Sequence, residues 1–136
     1  MKVNDWLKAA EQELVQAGIS TARLDALILL EDVTGIDRAK LLAEPDQPIS
    51  PAQEAKLKKL LASRAQHVPL AYVRGWTEFY GRKFVITPAV LEPRPESETM
   101  IDLLKSLADL PAEPCVADVG TGSGALGITA KLELPK

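Results

Sequence analysis

The sequence has little of several residue types on which common kinds of site depend. It contains one cysteine and one histidine in 136 residues, and aromatic residues make up only 4%. A single cysteine cannot form an internal disulfide, and we expect Cys115, which stands in an apolar run, to be a buried and unreactive thiol. His67 has no Cys, Asp or Glu at metal-ligand spacing, so no metal site is predicted. With so few aromatic residues, the core must be mainly aliphatic.

Long apolar runs and a strong net charge are also missing. No stretch approaches the roughly 18 apolar residues of a membrane-spanning helix. The N-terminus has no signal-peptide core, so we expect a cytoplasmic protein without a membrane partner. The net charge of −3 does not predict direct binding to nucleic acid. The basic block over residues 53–94 contains lysines that fall on the solvent face of one predicted helix.

Helical patterns dominate residues 1–75. Apolar residues recur at helical spacing from Val3 to Ala17, and Gly18 follows as a C-terminal stop. A second helix is predicted over 21–34 with Gly35 beyond its end, a third after the cap Asp37, a fourth from the capping box Ser50-Pro51-Ala52-Gln53 to about residue 66, and a fifth over 70–74. These segments predict a bundle of four or five helices.

The pattern changes after Gly75. Residues 76–86 predict a β-hairpin with Gly81 in its turn, and residues 87–95 form a proline-stiffened linker. A helix over about 96–109, a short strand over 115–119, a glycine loop and a helix from Ala125 follow. The predicted fold class is therefore α+β. Its parts are a helical domain over 1–75, a hairpin and linker over 76–95, and over 96–136 the first βα unit of a Rossmann-like domain.

The glycine loop indicates a cofactor site. Gly120, Gly122 and Ala125 satisfy the dinucleotide pattern, which leaves a nicotinamide-dependent oxidoreductase open. Gly120, Gly122 and Gly124 also form a second pattern, with Asp118 two positions ahead of it. A carboxylate there repels a pyrophosphate but suits S-adenosylmethionine, which carries an ammonium, a sulfonium and no phosphate. Asp118 therefore favours the methyl donor, while a glycine-rich turn that binds nothing also remains open.

Several segments taken together resemble the HemK/PrmC family of release factor glutamine methyltransferases. They lie in the family's order along essentially the whole chain. They are Ala22-Arg23-Leu24-Asp25-Ala26, Pro69-Leu70-Ala71-Tyr72-Val73-Arg74-Gly75, Phe79-Tyr80-Gly81 with Phe84, Leu91-Glu92-Pro93-Arg94-Pro95-Glu96-Ser97-Glu98, and Asp118-Val119-Gly120-Thr121-Gly122-Ser123-Gly124. Ser97 stands where the family usually has threonine.

The resemblance implies a class I methyltransferase. The family transfers a methyl group from S-adenosylmethionine to the side-chain amide of the glutamine in the Gly-Gly-Gln motif of peptide-chain release factors, and its helical domain helps to hold that protein substrate. The loop residues would cradle the methionine part of the cofactor, with Arg94 and Glu96 at the rim of the cofactor pocket. The implied cofactor-binding set is Asp118, Gly120, Thr121, Gly122, Ser123, Gly124, Arg94 and Glu96.

A structural interpretation of the proline-arginine segment stays open beside the functional one. Pro95 can begin a helix, and Glu96 and Glu98 then lie in its first turn, where negative charge is favourable. Arg94 would pair with one of these two carboxylates.

The resemblance also shows what the sequence lacks. The family's Asn-Pro-Pro-Tyr loop is absent and Asn4 is the only asparagine, so no residue is predicted to be catalytic and we expect this chain to be inactive as it stands. Strand 115–119 has no predicted partner, so we expect residues 111–136 to lack fixed structure or to pair with another molecule. A non-enzymatic helical module that binds proteins remains an alternative.

Overall fold

A computed structural model describes residues 1–107, 113 and 115–134. The chain divides into two compact units, Met1–Arg74 and Gly75–Lys136.

The first unit consists of helices, as the sequence predicts. They are α1 (Val3–Gln16), α2 (Ala22–Thr34), α3 (Arg38–Ala43), α4 (Pro51–Ala65) and α5 (Leu70–Arg74). Their inward faces form one cluster of buried side chains in which Trp6 is the one aromatic ring. The remaining members are aliphatic, and Leu14, Leu29, Leu30 and Leu57 are completely buried. The predicted helical bundle with an aliphatic core is therefore confirmed.

Local capping fixes where these helices begin and end. The Ser50 hydroxyl accepts from the backbone N–H of Gln53 at 3.3 Å, and the Gln53 side chain accepts from the Ser50 N–H at 3.0 Å. Asp37 caps α3 by accepting from the Ala39 N–H at 2.8 Å. Gly35 ends α2 with a left-handed backbone, φ 69°. All three caps were predicted, because each depends on residues close together in sequence.

Two ion pairs join α2 to the segments that follow α3. Asp25 is 3% exposed, and its Oδ2 accepts from Arg64 Nε at 2.7 Å. Two turns further along α2, Asp32 binds Arg74 through both carboxylate oxygens, at 2.5 and 2.9 Å. The apolar side chain of Leu24 is instead 45% exposed. The side of α2 that faces α4 and α5 is thus partly ionic, which its apolar pattern did not predict.

Helix α4 is followed by His67, whose backbone has a left-handed conformation that favours glycine. His67 has φ 64°, and the N–H groups of His67 and Val68 bond the carbonyls of Arg64 and Ser63 at 2.9 and 3.4 Å. This is the Schellman arrangement, in which a side-chain-bearing residue in the left-handed region is strained.

We expect His67→Gly to raise the free energy of unfolding by about 1 kcal/mol, because the imidazole is exposed and only backbone strain is removed. Urea unfolding followed by circular dichroism measures the change. Gly35→Ala is the matched control at the end of α2 and should lower stability by a similar amount. A loss of stability in His67→Gly would contradict the strain assignment.

The second unit begins with the predicted hairpin. Strands β1 (Trp76–Phe79) and β2 (Arg82–Val85) pair antiparallel, with Phe79 opposite Arg82. Gly81 lies in the turn, as predicted, with φ 70°, and Tyr80 is also left-handed with φ 52°. Two positive φ values in a two-residue turn match the twist of the strands.

Two helices follow the hairpin in the described part of this unit. A 3₁₀ turn at Pro95–Ser97 leads into α6 (Glu98–Ser106), and α7 spans Ala125–Glu133. The rings of Phe79 and Phe84 meet edge to face, 6.3 Å apart, and pack with buried residues of both helices. These buried helical residues are Ile101, Ala125 and Ala130. The hairpin therefore supplies the aromatic part of this core. Predicted helical residues 108 and 109 lie outside the described part of the chain.

The predicted strand over 115–119 is wrong. Residues 115–118 have no regular secondary structure, and Val119, in a turn, is 94% exposed. The only sheet in the described residues is the hairpin, so this segment has no strand to pair with. A strand, unlike a helix, cannot bond its own backbone groups. The Rossmann-like βα unit is consequently not confirmed, although its helical half forms as α7.

Two expectations that depended on this strand are also corrected. Cys115 is exposed, because the strand that would have buried it is not formed. The expectation that residues 111–136 lack fixed structure without a partner is wrong for α7, because Ala125 and Ala130 reach a core within the chain. Residues 111, 112, 114, 135 and 136 of that segment lie outside the described part of the chain.

Candidate functional site

The glycine loop between residue 119 and α7 has an unusual backbone. Gly120, Gly122 and Gly124 all have positive φ, at 77°, 57° and 78°. Side-chain-bearing residues rarely adopt these angles, so the trace of the loop depends on glycine at these positions. Gly124 is the N-cap of α7 and has no side chain with which to cap it. The orphan N–H groups at the start of α7 therefore need another acceptor.

Asp118 supplies that acceptor. Its Oδ2 accepts from the Thr121 hydroxyl at 3.0 Å and from the Gly127 backbone N–H at 3.1 Å. Gly127 is the third residue of α7, so Asp118 caps the helix from six residues before its N-cap. Asp118 is half-buried, and its Oδ1 has no hydrogen-bond partner among the residues that the structure describes. One oxygen of the carboxylate is thus fixed, while the other can accept a further hydrogen bond.

Gly127 is a part of the site that the sequence did not predict. A Cβ built on Gly127 would stand 2.9 Å from Asp118 Oδ2 and 3.2 Å from Asp118 Cβ. The absence of a side chain therefore allows the carboxylate to reach the backbone of α7. A glycine inside a helix pattern signals such a close approach, but it does not say which residue approaches.

The proline-containing linker passes beside the loop at one point. The carbonyl oxygen of Leu91 lies 3.9 Å from where a Cβ of Gly122 would stand. The next residue, Glu92, accepts from the Thr77 hydroxyl of β1 at 3.3 Å. The linker is therefore bonded to the hairpin where it borders the loop.

The other predicted site residues form fewer side-chain interactions than Asp118. Arg94 and Glu96 are exposed, and neither side chain forms a hydrogen bond or an ion pair with a residue in the described ranges, although the backbone carbonyl of Arg94 accepts from the Ser97 N–H at 3.0 Å. The expected pairing of Arg94 with a neighbouring carboxylate is wrong, because Glu98 instead accepts from the backbone N–H of Tyr80 at 2.6 Å. Pro95 begins the 3₁₀ turn, as the structural interpretation expected. Ser123 is half-buried within the loop, and the rim position of Arg94 and Glu96 stays a prediction.

An apolar groove adjoins Asp118. Its volume is about 440 Å³, and it lies between α6, residues 116–119 and α7. Its lining includes Leu103 and Leu104 from α6, Leu107 directly after it and Leu126 from α7, while Asp118 is the one charged residue among the described residues that line it. The described part of the candidate site therefore places the Asp118 carboxylate between a glycine loop and apolar walls.

A group of charged side chains holds the hairpin turn against both helices. Glu133 of α7 accepts from Arg82 Nη2 at 2.5 Å and from Lys105 Nζ at 3.2 Å. Lys105 also donates to the Tyr80 hydroxyl at 3.1 Å, and that hydroxyl donates to Asp102 at 2.7 Å. Hydrogen bonds from Arg82 and then Lys105 hold the pKa of Glu133 below its ordinary value of 4.5. Hydrogen bonds to Tyr80 and then Glu133 raise the pKa of Lys105 above 10.5.

These pKa shifts make the stability of the second unit depend on pH. A carboxylate with a lowered pKa stabilises the fold above its unfolded value of 4.5, and this contribution is lost as the pH falls through its folded pKa. The ammonium of Lys105 contributes below 10.5, and that contribution is lost as the pH rises through its raised pKa. Between the two limits both contributions are present.

We expect Glu133→Gln to lower the Tm at neutral pH, and we expect the difference from the unsubstituted protein to shrink as the pH falls below 4.5 and through the lowered folded pKa of Glu133, because protonation removes its charge. Thermal unfolding across this pH range tests it. Glu13→Gln, at an exposed position in the first unit, is the control. A Tm difference that persists unchanged at the acidic end would show that the charge on Glu133 is not the cause.

Two kinds of feature are absent from the described residues. No group of three or more His, Cys, Asp or Glu side chains there could hold a metal ion. No helix in the same residues is long and apolar enough to cross a membrane.

Comparison with known proteins identifies the family. A family model described as the PrmC N-terminal domain matches residues 5–75. The chain is 42% identical over 127 residues to a release factor glutamine methyltransferase of Burkholderia pseudomallei, an alignment that covers 93% of this chain and 44% of the relative. It is 38% identical over 136 residues to the protein of that name in Escherichia coli K12, covering 99% and 48%.

A similar match to the release factor glutamine methyltransferase of Geobacter sulfurreducens has 37% identity over 134 residues and covers 98% of this chain and 45% of the relative. The chain spans about half the length of these curated relatives. The resemblance found in the sequence motifs is thereby confirmed. The chain belongs to the HemK/PrmC family of release factor glutamine methyltransferases and contains that family's N-terminal domain.

Proposed function

We propose that this chain is the N-terminal portion of an enzyme that methylates the glutamine of the Gly-Gly-Gln motif in peptide-chain release factors, with S-adenosylmethionine as the methyl donor. The names of the relatives support the substrate class and the type of reaction. The observation that carries the cofactor is the Asp118 carboxylate, which has one oxygen fixed and one without a partner among the described residues, at the start of a loop of three left-handed glycines.

The chemistry of these groups fits S-adenosylmethionine. The Asp118 Oδ1 can accept a charge-assisted hydrogen bond from an ammonium group, whereas a pyrophosphate in the same place would be repelled. A Cβ added at Gly120 would meet nothing within 4 Å, so a ligand can approach the backbone there. Asp118, Gly120, Gly122 and Gly124 would therefore hold the methionine part of the cofactor. When bound, S-adenosylmethionine supplies an electrophilic methyl group on its sulfonium.

The helical unit is the proposed contact with the protein substrate. Its core is independent of the glycine loop, and residues 5–75 match a domain model of their own. A glutamine amide nitrogen is a poor nucleophile because its lone pair is delocalised, so the reaction needs acceptors that orient the amide. We assign no catalytic role to any residue of this chain. Its proposed contributions are to bind the methyl donor and to hold the release factor.

Nuclear magnetic resonance titration of the chain tests the cofactor. We expect S-adenosylmethionine to shift the amide resonances of residues 120–124 and NAD to leave them unchanged, with the S-adenosylmethionine response lost in Asp118→Ala. Glu96→Ala, tested in parallel, decides whether the rim residue contributes. A response to NAD alone would favour the oxidoreductase alternative.

A second titration, with a purified release factor, tests the partner. We expect resonances of the Met1–Arg74 unit to shift, because that unit is the proposed protein-binding part. Binding of the release factor combined with no response to either cofactor would favour the non-enzymatic helical module. No binding of the release factor would contradict the proposed substrate contact.

A further inference from the structure

We propose that Thr121 is a positioning residue that acts through Asp118, orienting the carboxylate so that its Oδ1 receives the ammonium of the bound methyl donor. This inference rests on the proposed function and adds to it a distinct role for one loop residue. It differs from the expectation that Thr121 touches the cofactor as the neighbouring loop glycines do.

The geometry supports this role because both donors to Asp118 bind the same oxygen. Thr121 Oγ1 and the Gly127 N–H approach Oδ2 at 3.0 and 3.1 Å. Thr121 precedes the helix and Gly127 lies inside it, so the two donors reach Oδ2 from different parts of the backbone. Two donors on one oxygen fix the rotation of the carboxylate, and the position of Oδ1 follows from that rotation.

The Thr121 hydroxyl has one hydrogen to donate, and Asp118 receives it. Thr121 therefore cannot also donate to a ligand while this bond exists. Without the hydroxyl, the Gly127 N–H alone would hold the carboxylate, which could then turn about its terminal bond. The orientation of Oδ1 would be lost, while the loop backbone, set by its glycines, would remain.

Two variants and two ligands separate positioning from a general structural role. Thr121→Val keeps the shape of the side chain without its hydroxyl, and Thr121→Ser keeps the hydroxyl. The ligands are S-adenosylmethionine and 5′-methylthioadenosine, which lacks the charged amino-acid part. We expect Thr121→Val to weaken binding of S-adenosylmethionine about tenfold, the effect of one hydrogen bond to a charged group. Binding of 5′-methylthioadenosine should not change, and Thr121→Ser should bind both ligands as the unsubstituted chain does.

Titration of all three proteins with each ligand decides the question. Equal binding of S-adenosylmethionine by Thr121→Val and the unsubstituted chain overturns the inference while leaving the proposed cofactor intact. A parallel loss of both ligands in Thr121→Val also overturns it, because Thr121 would then support the loop as a whole. Failure of the unsubstituted chain to bind S-adenosylmethionine overturns the proposed cofactor itself, and the role of Thr121 with it. Retained circular dichroism and Tm in each variant establish that folding is not the cause.

Discussion

Phe79→Ala is expected to lower the free energy of unfolding of the Gly75–Lys136 unit by about 3–5 kcal/mol. The Phe79 ring is 1% exposed and lies against Phe84, and it belongs to the same buried cluster as Ile101 of α6. Truncation removes the buried ring and leaves a cavity between the hairpin and the helices. Because small units have stabilities of only a few kcal/mol, this loss is close to the whole stability of the unit.

The exchange rates of backbone amide hydrogens, measured separately for each unit, test this loss of stability. The amides of the hairpin and of α6 should exchange faster in Phe79→Ala, while those of Met1–Arg74 keep their rates. Val85→Ala is the matched control on the partner strand, because Val85 is 80% exposed and its truncation should change stability by less than about 0.5 kcal/mol. Equal effects of the two substitutions would mean that the hairpin does not pack on α6 and α7.

Asp25→Ala is expected to destabilise the helical unit by about 3–5 kcal/mol, because it leaves the charge of Arg64 without its partner. The side chains of Asp25 and Arg64 are only 5% and 14% exposed, so water cannot replace the lost carboxylate fully. Urea unfolding followed by the fluorescence of Trp6 reports on this unit, since Trp6 is 5% exposed in its core. A Trp76→Phe background removes the second tryptophan.

Two comparisons test whether the burial of the Asp25–Arg64 pair causes this loss of stability. Glu11→Ala breaks the exposed pair with Arg23, 2.9 Å long, and should cost less than about 1 kcal/mol. The double replacement Asp25→Leu with Arg64→Met should recover most of the lost stability, because an apolar pair of similar size needs no partner charge. If Asp25→Ala lowers the free energy of unfolding no more than Glu11→Ala does, the burial of the Asp25–Arg64 pair does not add to the effect of losing it.

The glycine loop shows how far a local pattern can describe a site. The sequence predicted the left-handed glycines and the importance of Asp118, because both follow from residues within the loop. It did not predict that Asp118 would bond the Gly127 N–H, since that contact needs the loop to fold back on α7. The free oxygen, on which the proposed cofactor site and the proposed role of Thr121 both depend, becomes visible only with this contact.

The sequence by itself determined the helices, the hairpin and the family. The capping box of Ser50 and Gln53, the glycine stop after α2 and the hairpin turn at Gly81 all act within a few residues, and the family motifs are read directly from the chain. Helical hydrogen bonds join residues four apart, so such elements need no distant partner.

Tertiary structure alone decided the features that depend on residues far apart. Asp25 is buried because Arg64, 39 residues later, supplies the opposite charge. Residues 115–118 are not a strand because no neighbouring strand in the described chain receives their hydrogen bonds, even though their apolar sequence favours one. Buried charges and strands both need partners that sequence spacing does not specify, and only the folded chain shows whether those partners arrive.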